Sequence, residues 1–226
     1  MQEDKIFNIR NAKFYLPNYP EDCISQCIVG GKNYWDRVAL ELIDKYLSDN
    51  SVILDIGANV GSHTLYWAIE RKAKKVYSFE PFTQTFEILK TNINLNNLND
   101  TVTISNKGLS NESCHAKVKS FWQKNIGGTS FIKDAEGDYE FVSLDSLKIP
   151  EKIDLIKIDV EGHEMDVLEG AIQTIFNNKP IIVIETFDKK ELVMNFLGSL
   201  GYVLVDTIRE GEDYIFKYKK LVGDNV

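Results

Sequence analysis

The stretch from Ser51 to Gly61, SVILDIGANVG, constrains the fold more than any other part of the chain. The apolar run from Val52 to Ile56 lacks polar alternation and is typical of a strand buried on both faces of a parallel sheet. Gly57 and Gly61 then bracket a tight turn, and apolar residues follow at helical spacing over 62–71. The stretch therefore predicts a strand, a glycine-rich turn and a helix, as in a doubly wound α/β sheet.

The glycine-rich turn is a candidate ligand site, because ligands bind at the carboxyl edge of such a sheet and glycine lets the backbone approach them closely. We expect Asp55 at the strand end, facing the ligand. Asn59 occupies the place of the second glycine of a dinucleotide-binding turn, which argues against NAD. A nucleoside ligand without phosphates, such as S-adenosylmethionine, fits better, and a turn that binds no ligand is the alternative.

Two polar residues beyond the next strands extend this candidate site. Glu80, followed by Pro81, ends the predicted strand Lys75–Phe79. Its position, roughly 20 residues after the turn, suits a carboxylate that accepts hydrogen bonds from both ribose hydroxyls, although it could instead cap the next helix. Asn106 follows the predicted strand Val102–Ser105 and either contacts an adenine ring or stabilises a turn. Turn and acid together predict an adenosine site.

Length and charge exclude several classes of function. A chain of 226 residues with 43% hydrophobic content suits one α/β domain spanning 1–226. The net charge of −8 leaves no basic surface for a phosphate backbone, so nucleic acid is not an expected partner. No apolar run is long enough to cross a bilayer, and the N-terminus lacks the layout of a signal peptide, so we expect a soluble, cytoplasmic protein. The sequence does not indicate an oligomeric state.

Two segments depart from the regular α/β alternation. Residues 1–34 combine prolines and glycines with short β-favouring pieces, including Cys27 to Val29, and predict an irregular N-terminal flap. Residues 111–146 predict an inserted β-hairpin formed by Ala116–Trp122 and Tyr139–Leu144, with a polar loop between them that is either a substrate lip or a simple connection. A helix is predicted over Trp35–Leu47, and its Trp35 either approaches the ligand or packs the flap on the core.

The remaining predicted elements follow in chain order. They are a strand over Ile153–Val160, a helix from about Met165 to Asn178, a strand over Pro180–Glu185, a last helix, and the antiparallel pair Tyr202–Thr207 and Asp213–Tyr218.

A second group of acids follows the predicted strand Ile153–Val160 and is available for a substrate. Methyl transfer to a hydroxyl requires in-line geometry and removal of a proton, so a general base or a metal ion is wanted. His163 has a suitable ordinary pKa, but it could equally be a helix N-terminal residue without a catalytic part. A divalent cation is possible, although nothing in the spacing demands one. The candidate catalytic residues are Asp159, Glu161, His163 and Glu185, with Glu164 beside them. If a metal ion is used instead, its oxygen ligands would be Asp159, Glu161 and Glu185. The other two histidines, His63 and His115, are expected to be structural or solvent-facing.

Several motifs in this order resemble one known family. They are DIGANVG, FEP, NINLNNL, VSLDSL, IKIDVEGHE with VLEGA, and PIIVIE. The chain from about Phe14 to Glu185 resembles the FkbM-type S-adenosylmethionine-dependent methyltransferases. This resemblance implies a Rossmann-like class I methyltransferase fold, with a seven-stranded, mostly parallel sheet and a C-terminal antiparallel hairpin.

The resemblance also implies O-methylation of a sugar, a glycan or another hydroxylated small molecule. A cofactor-binding scaffold without catalysis and an NAD-dependent oxidoreductase are the alternatives. By position, the resemblance places Glu80 at the ribose, Asn106 at the adenine and Asp159 near the transferred methyl group. The cofactor-binding candidates are Asp55, Gly57, Ala58, Asn59, Gly61, Glu80, Pro81, Asn106 and Asp159.

Overall fold

The structure is a computed structural model that describes residues 2–208 and 211–219. The strands in chain order are β1 (Ile6–Ile9), β2 (Ala12–Tyr15), β3 (Val52–Ile56), β4 (Lys75–Phe79), β5 (Val102–Ser105), β6 (Gly108–Leu109), β7 (Cys114–Trp122), β8 (Asn125–Lys133), β9 (Tyr139–Val142), β10 (Leu155–Ile158), β11 (Ile181–Glu185), β12 (Tyr202–Ile208) and β13 (Asp213–Tyr218). The α-helices are α1 (Cys23–Gly31), α2 (Arg37–Ile43), α3 (Ser62–Leu65), α4 (Thr83–Leu95), α5 (Glu164–Glu169), α6 (Ile172–Asn178) and α7 (Lys190–Ser199). A π-helical segment, Tyr66–Glu70, continues α3, and short 3-10 helices occupy Glu3–Lys5, Asp44–Tyr46 and Leu144–Leu147.

The main sheet has seven strands within the described residues, in the order β12-β13-β11-β10-β3-β4-β5. Strands β11, β10, β3, β4 and β5 are parallel, and β13 pairs antiparallel with both β11 and β12. From β3 the chain proceeds outward through β4 and β5 and then returns to the other side of β3 with β10 and β11. The doubly wound α/β fold predicted from the sequence is confirmed.

Side chains on the two faces of this sheet belong to different hydrophobic clusters. Ile53 packs on the side of α1–α4, whereas its neighbour Leu54 packs on the side of α5–α7. Because successive residues of a strand point to opposite faces, a central strand with helices on both sides must be apolar along its whole length. This explains the unalternating run that identified β3.

The inserted segment contributes to a second sheet, in which the strands pair differently from the predicted hairpin. Strand β7 pairs antiparallel with β8, so residues 125–130 are not a loop, and only Gln123 and Lys124 separate the two strands. The predicted loop was wrong because Gly127 and Gly128 weaken the local pattern of a strand. In the folded protein Ile126 and Phe131 anchor β8 in a small apolar cluster. The predicted second piece is β9, which pairs with the other edge of β7.

The N-terminal segment is not irregular. Strands β1 and β2 form an antiparallel hairpin, and α1 begins after Asp22, whose Oδ2 accepts a hydrogen bond of 2.8 Å from the backbone N–H of Ser25. Cys27 to Val29, predicted as a β-favouring piece, lies inside α1. The N-cap residue Asp22 favours a helix here, because its side chain satisfies a backbone donor that the first turn of a helix otherwise leaves unpaired.

Two predicted helices are shorter than expected. The helix over 35–47 is α2 followed by a 3-10 turn, and Val38 within α2 is 75% exposed. The helix expected to run from Met165 to Asn178 is divided into α5 and α6 at Gly170 and Ala171. Gly170 packs on the backbone of another segment, since a Cβ atom there would lie 2.0 Å from the carbonyl oxygen of Ser110.

Candidate active site

A cavity opens at the carboxyl ends of β3, β4 and β10, where the order of strands reverses. Its volume is about 300 Å³, at the lower end of the range for small-ligand sites. Such a switch point is where open α/β sheets bind ligands, because the loops on either side diverge there. The predicted site residues that line it are Gly57, Ala58, Asn59, Glu80, Pro81, Asp159, Glu161, His163 and Glu185.

The two glycines of the turn are required by packing. Gly57 has a φ of +79°, and a Cβ atom on it would lie 1.7 Å from the carbonyl oxygen of Asp159. Gly61 has a φ of +88°, and its Cβ would meet the side chain of Leu89 at 2.6 Å. Gly57 lies on the cavity wall, whereas Gly61 is not among the lining residues. The close contact with α4 therefore explains why Gly61 is a glycine, and the cavity gives no support to its predicted place at the cofactor.

Glu80 lies at the cavity with its carboxylate held in place by the backbone. Its Oε2 accepts a hydrogen bond of 2.8 Å from the N–H of Asn59, and its Oε1 accepts one of 2.9 Å from the N–H of Phe82. Burial raises the pKa of Glu80, and these hydrogen bonds partly offset that effect. A carboxylate oxygen has two lone pairs, so each oxygen retains capacity for a hydroxyl donor.

Asn106 hydrogen-bonds to the backbone of two residues of the cavity wall. Its Nδ2 donates hydrogen bonds to the carbonyl oxygens of Glu80, at 2.9 Å, and Pro81, at 3.0 Å. It is not a lining residue, whereas the next residue, Lys107, is. These hydrogen bonds are those expected of a turn-stabilising asparagine, one of the two alternatives that the sequence left open.

Asp55 does not face the cavity. Its side chain is fully buried within β3, where Oδ2 accepts a 2.6 Å hydrogen bond from Thr64 Oγ1 and Oδ1 lies 3.4 Å from Lys157 Nζ. Lys157 lies directly opposite Asp55 on β10, so the two side chains share one face of the sheet. The expectation that Asp55 contacts a ligand was wrong because its partner belongs to a distant segment.

Lys157 is the main site residue that sequence reasoning missed. It is only 6% exposed, and its Nζ lies 3.2 Å from Asp159 Oδ2. Burial disfavours its charged form, but Asp159 and Asp55 outweigh this effect and raise the pKa of Lys157. A lysine within the apolar strand Leu155–Ile158 was the available signal, because buried lysines are almost always paired.

Asp159 connects this buried charge to the cavity. Burial by itself raises its pKa, but the ammonium group of Lys157 overcomes that effect and lowers the pKa of Asp159 to about 2. The carboxylate therefore stays ionised at neutral pH on the cavity wall. His63, expected to be structural or solvent-facing, also lines the cavity and contributes to lowering the pKa of Asp159.

His163 lines the cavity and lies close to protein groups on both sides of its ring. Its Nε2 lies 3.1 Å from the carbonyl oxygen of Phe131 on β8, and its Nδ1 lies 3.4 Å from Asp166 Oδ2. The side chain is 14% exposed. This geometry connects β8 to α5 and favours the helix N-terminal, positioning role over the role of general base.

The inserted sheet and the N-terminal segment cover the cavity. Asn125, Gly127, Gly128 and Thr129 line it from β8, while Ile24 and Trp35 line it from the N-terminal side. Asp22 joins the two parts, because its Oδ1 accepts a 3.2 Å hydrogen bond from the N–H of Ile126. Residues 125–130 thus border the site, as the substrate-lip alternative requires, but do so as a strand.

Two further observations bear on metal binding and on membranes. Within residues 2–208 and 211–219, no three or more histidine, cysteine or acidic side chains are grouped so that they could hold a metal ion. The grouping of Asp159, Glu161 and Glu185 as oxygen ligands is thus not supported. No helix in the same ranges has the length and apolar character needed to span a bilayer.

Sequence comparisons match this chain to a known family. Residues 55–204 match the family model described as the methyltransferase FkbM domain. Hexuronic acid methyltransferase AglP of Haloferax volcanii is 28% identical over 66% of this chain and 61% of its own length. Methyltransferase 1 of Beauveria bassiana is 25% identical over 63% of this chain and 67% of its own length. The chain thus spans under two thirds of AglP.

Solved structures agree with the fold. The methyltransferase FkbM from Methylobacillus flagellatus superposes with a TM-score of 0.57 at 17% identity, over 86% of this chain and 54% of that one. A putative rRNA methylase from Clostridium thermocellum superposes with a TM-score of 0.54 at 12% identity, over 83% and 97% of the two chains. These likenesses confirm the class I methyltransferase fold, and at such identities they concern the fold alone.

Proposed function

The chain belongs to the FkbM methyltransferase family, and on this premise we propose that it transfers a methyl group from S-adenosylmethionine to a hydroxyl group of a sugar or glycan. The observation that carries the proposal is the fixed carboxylate of Glu80 at the cavity wall, beside the backbone of Gly57 to Asn59. The sugar acceptor is supported by the similarity to AglP, a hexuronic acid methyltransferase.

The residues around Glu80 fit the nucleoside part of S-adenosylmethionine. Two backbone N–H groups orient the carboxylate before any ligand arrives, so binding costs little reorganisation. Paired ribose hydroxyls would donate to its remaining lone pairs. The side chain of Asn59 contacts β8 closely, since a Cβ on Gly127 would lie 2.1 Å from its Nδ2. A pyrophosphate would need open backbone there, so the contact disfavours a dinucleotide.

The acids at the ends of β10 and β11 fit the chemical step. S-adenosylmethionine supplies the methyl group: its carbon–sulfur bond breaks as the acceptor oxygen–carbon bond forms, and S-adenosylhomocysteine leaves with the bonding electron pair. Glu185 lies at the cavity beside Asp159 and is the residue that we propose to take the hydroxyl proton. Asp159, kept ionised by Lys157, favours positive charge beside it.

The test measures cofactor binding and turnover separately. Calorimetry should detect S-adenosylhomocysteine binding but no NAD binding. Incubation with S-adenosylmethionine and neutral, amino and acidic methyl glycosides should release S-adenosylhomocysteine above the rate without acceptor. Binding of S-adenosylhomocysteine without turnover on any acceptor would favour the non-catalytic scaffold, and failure to bind it would overturn the proposal.

A further inference from the structure

A second cavity of about 220 Å³ adjoins the first, next to the ends of β10 and β11. The two cavities share Asp159, Val160, Glu161, Glu185 and Phe187 as lining residues. The second cavity therefore starts where the candidate proton acceptor lies. A group that is methylated at this junction would place the rest of its molecule in the second cavity.

The walls of the second cavity carry more acidic than basic side chains. Its acidic lining residues are Asp159, Glu161, Glu164, Glu185 and Asp188, and Lys189 is its basic one. The Nζ atom of Lys189 already interacts with the protein, 3.8 Å from Glu164 Oε2 and 2.5 Å from the carbonyl oxygen of Gly162. A carboxylate or phosphate entering this cavity would meet like charges at short range.

An unpaired, buried hydroxyl belongs to a residue of this cavity's lining. Thr186 lines it and is 3% exposed, yet no described residue hydrogen-bonds to its Oγ1 atom. Buried polar groups in folded proteins nearly always have a partner, so this hydroxyl is available to a ligand group that reaches it. Phe187, next in the chain, is 63% exposed and provides an aromatic surface at the edge of both cavities.

We infer that the second cavity is the acceptor subsite and that it selects a sugar without negative charge, binding an ammonium-bearing amino sugar better than its neutral counterpart. This inference rests on the proposed function and narrows its substrate class. Hydroxyl and ammonium groups donate to the carboxylates of the wall, Thr186 Oγ1 completes a hydrogen bond to the sugar, and Phe187 packs on its apolar face. A hexuronic acid, the substrate class in the name of AglP, is the acceptor that this charge rejects.

The first test compares matched sugars that differ in charge. Methyl glycosides of glucose, glucosamine and glucuronic acid, and the corresponding galactose series, are titrated calorimetrically into the protein saturated with S-adenosylhomocysteine, and turnover is measured in parallel. Within a series, the amino sugar should bind tightest and the uronate at least about ten-fold more weakly than the neutral sugar. Equal or tighter binding of the uronate, or no binding in either series, overturns the inference.

Two variants test the named residues. Thr186→Val should raise the KM for the sugar about five-fold without changing the affinity for S-adenosylhomocysteine, and Thr91→Val, which removes a hydroxyl on α4, is the control. Asp188→Lys should shift the preference toward the uronate about five-fold, whereas Glu136→Lys, the same reversal of charge at an exposed site outside both cavities, should not. An unchanged KM in Thr186→Val, or an unchanged preference in Asp188→Lys, contradicts the acceptor subsite. Failure of the wild-type protein to bind S-adenosylhomocysteine contradicts the proposed function instead.

Discussion

Lys157 donates a hydrogen bond of 2.9 Å from its Nζ atom to the carbonyl oxygen of Gly57, 100 positions earlier in the chain. The same ammonium group pairs with Asp55 inside the sheet and with Asp159 at the cavity. One buried cation therefore holds the glycine turn, neutralises an internal carboxylate and orients a carboxylate of the site. Gly57 and Asp159 are also in direct backbone contact, which explains why this corner tolerates no side chain.

Replacement of Lys157 by methionine should destabilise the protein by about 3–5 kcal/mol, because the fully buried Asp55 would lose its cation. Urea unfolding measures the change. Lys119→Met on the exposed face of β7 is the control and should stay within about 0.5 kcal/mol of the wild type. The double variant Asp55→Asn, Lys157→Met should recover part of the loss. A change under about 1 kcal/mol in the single variant would show that the ion pair is not important for stability.

Replacement of Glu80 by alanine should weaken S-adenosylhomocysteine binding by about 1–3 kcal/mol, because the ribose hydroxyls would lose a charged acceptor. Isothermal titration calorimetry at constant pH measures the affinity. Glu87→Ala, on α4 and outside the cavity, should bind as the wild type does. An unchanged affinity in Glu80→Ala would remove this carboxylate from the cofactor site.

The ionisation of Asp159 should make stability depend on pH. Its pKa is lowered to about 2 in the folded protein from an ordinary value of 3.8, so folding favours the ionised form. The stabilisation is fully present above about pH 4 and is lost as the pH falls from about 4 toward 2. Asp159→Asn should therefore cost stability at pH 6 and less at pH 3, as followed by urea unfolding. A difference that grows on acidification would contradict the assigned ionisation.

The proton-transfer role separates Glu185 from His163. Glu185→Gln should lower kcat by about 100-fold or more with little change in S-adenosylhomocysteine affinity, since the amide cannot accept the proton. His163→Gln retains a donor for the carbonyl oxygen of Phe131 and should keep most of the turnover. Initial rates of S-adenosylhomocysteine release at saturating acceptor test both. The opposite pattern would return the base role to His163.

Local sequence patterns predicted much of the sheet and part of the site. The predicted strands Lys75–Phe79 and Val102–Ser105 have the observed bounds, and the acids at strand ends do meet at one edge of the sheet. These features depend on apolar runs, on glycine turns and on the fact that parallel strands end on the same side. Strand β8 was missed because its stability comes from Ile126 and Phe131 packing under the inserted sheet, which no local pattern of residues 125–130 reveals.

The sequence by itself determined the doubly wound fold, the glycine corner and the position of Glu80 at the tip of the adjoining strand, because each depends on residues close together in the chain. Only the tertiary structure decided that Asp55 turns inward to Lys157, that Asn106 stabilises a turn and that His163 is engaged with β8. Each of these side chains has a partner from a distant segment or a neighbouring strand. Spacing along one strand gives the face on which a side chain lies, but its hydrogen-bond and charge partners are set by the packing of strands against one another.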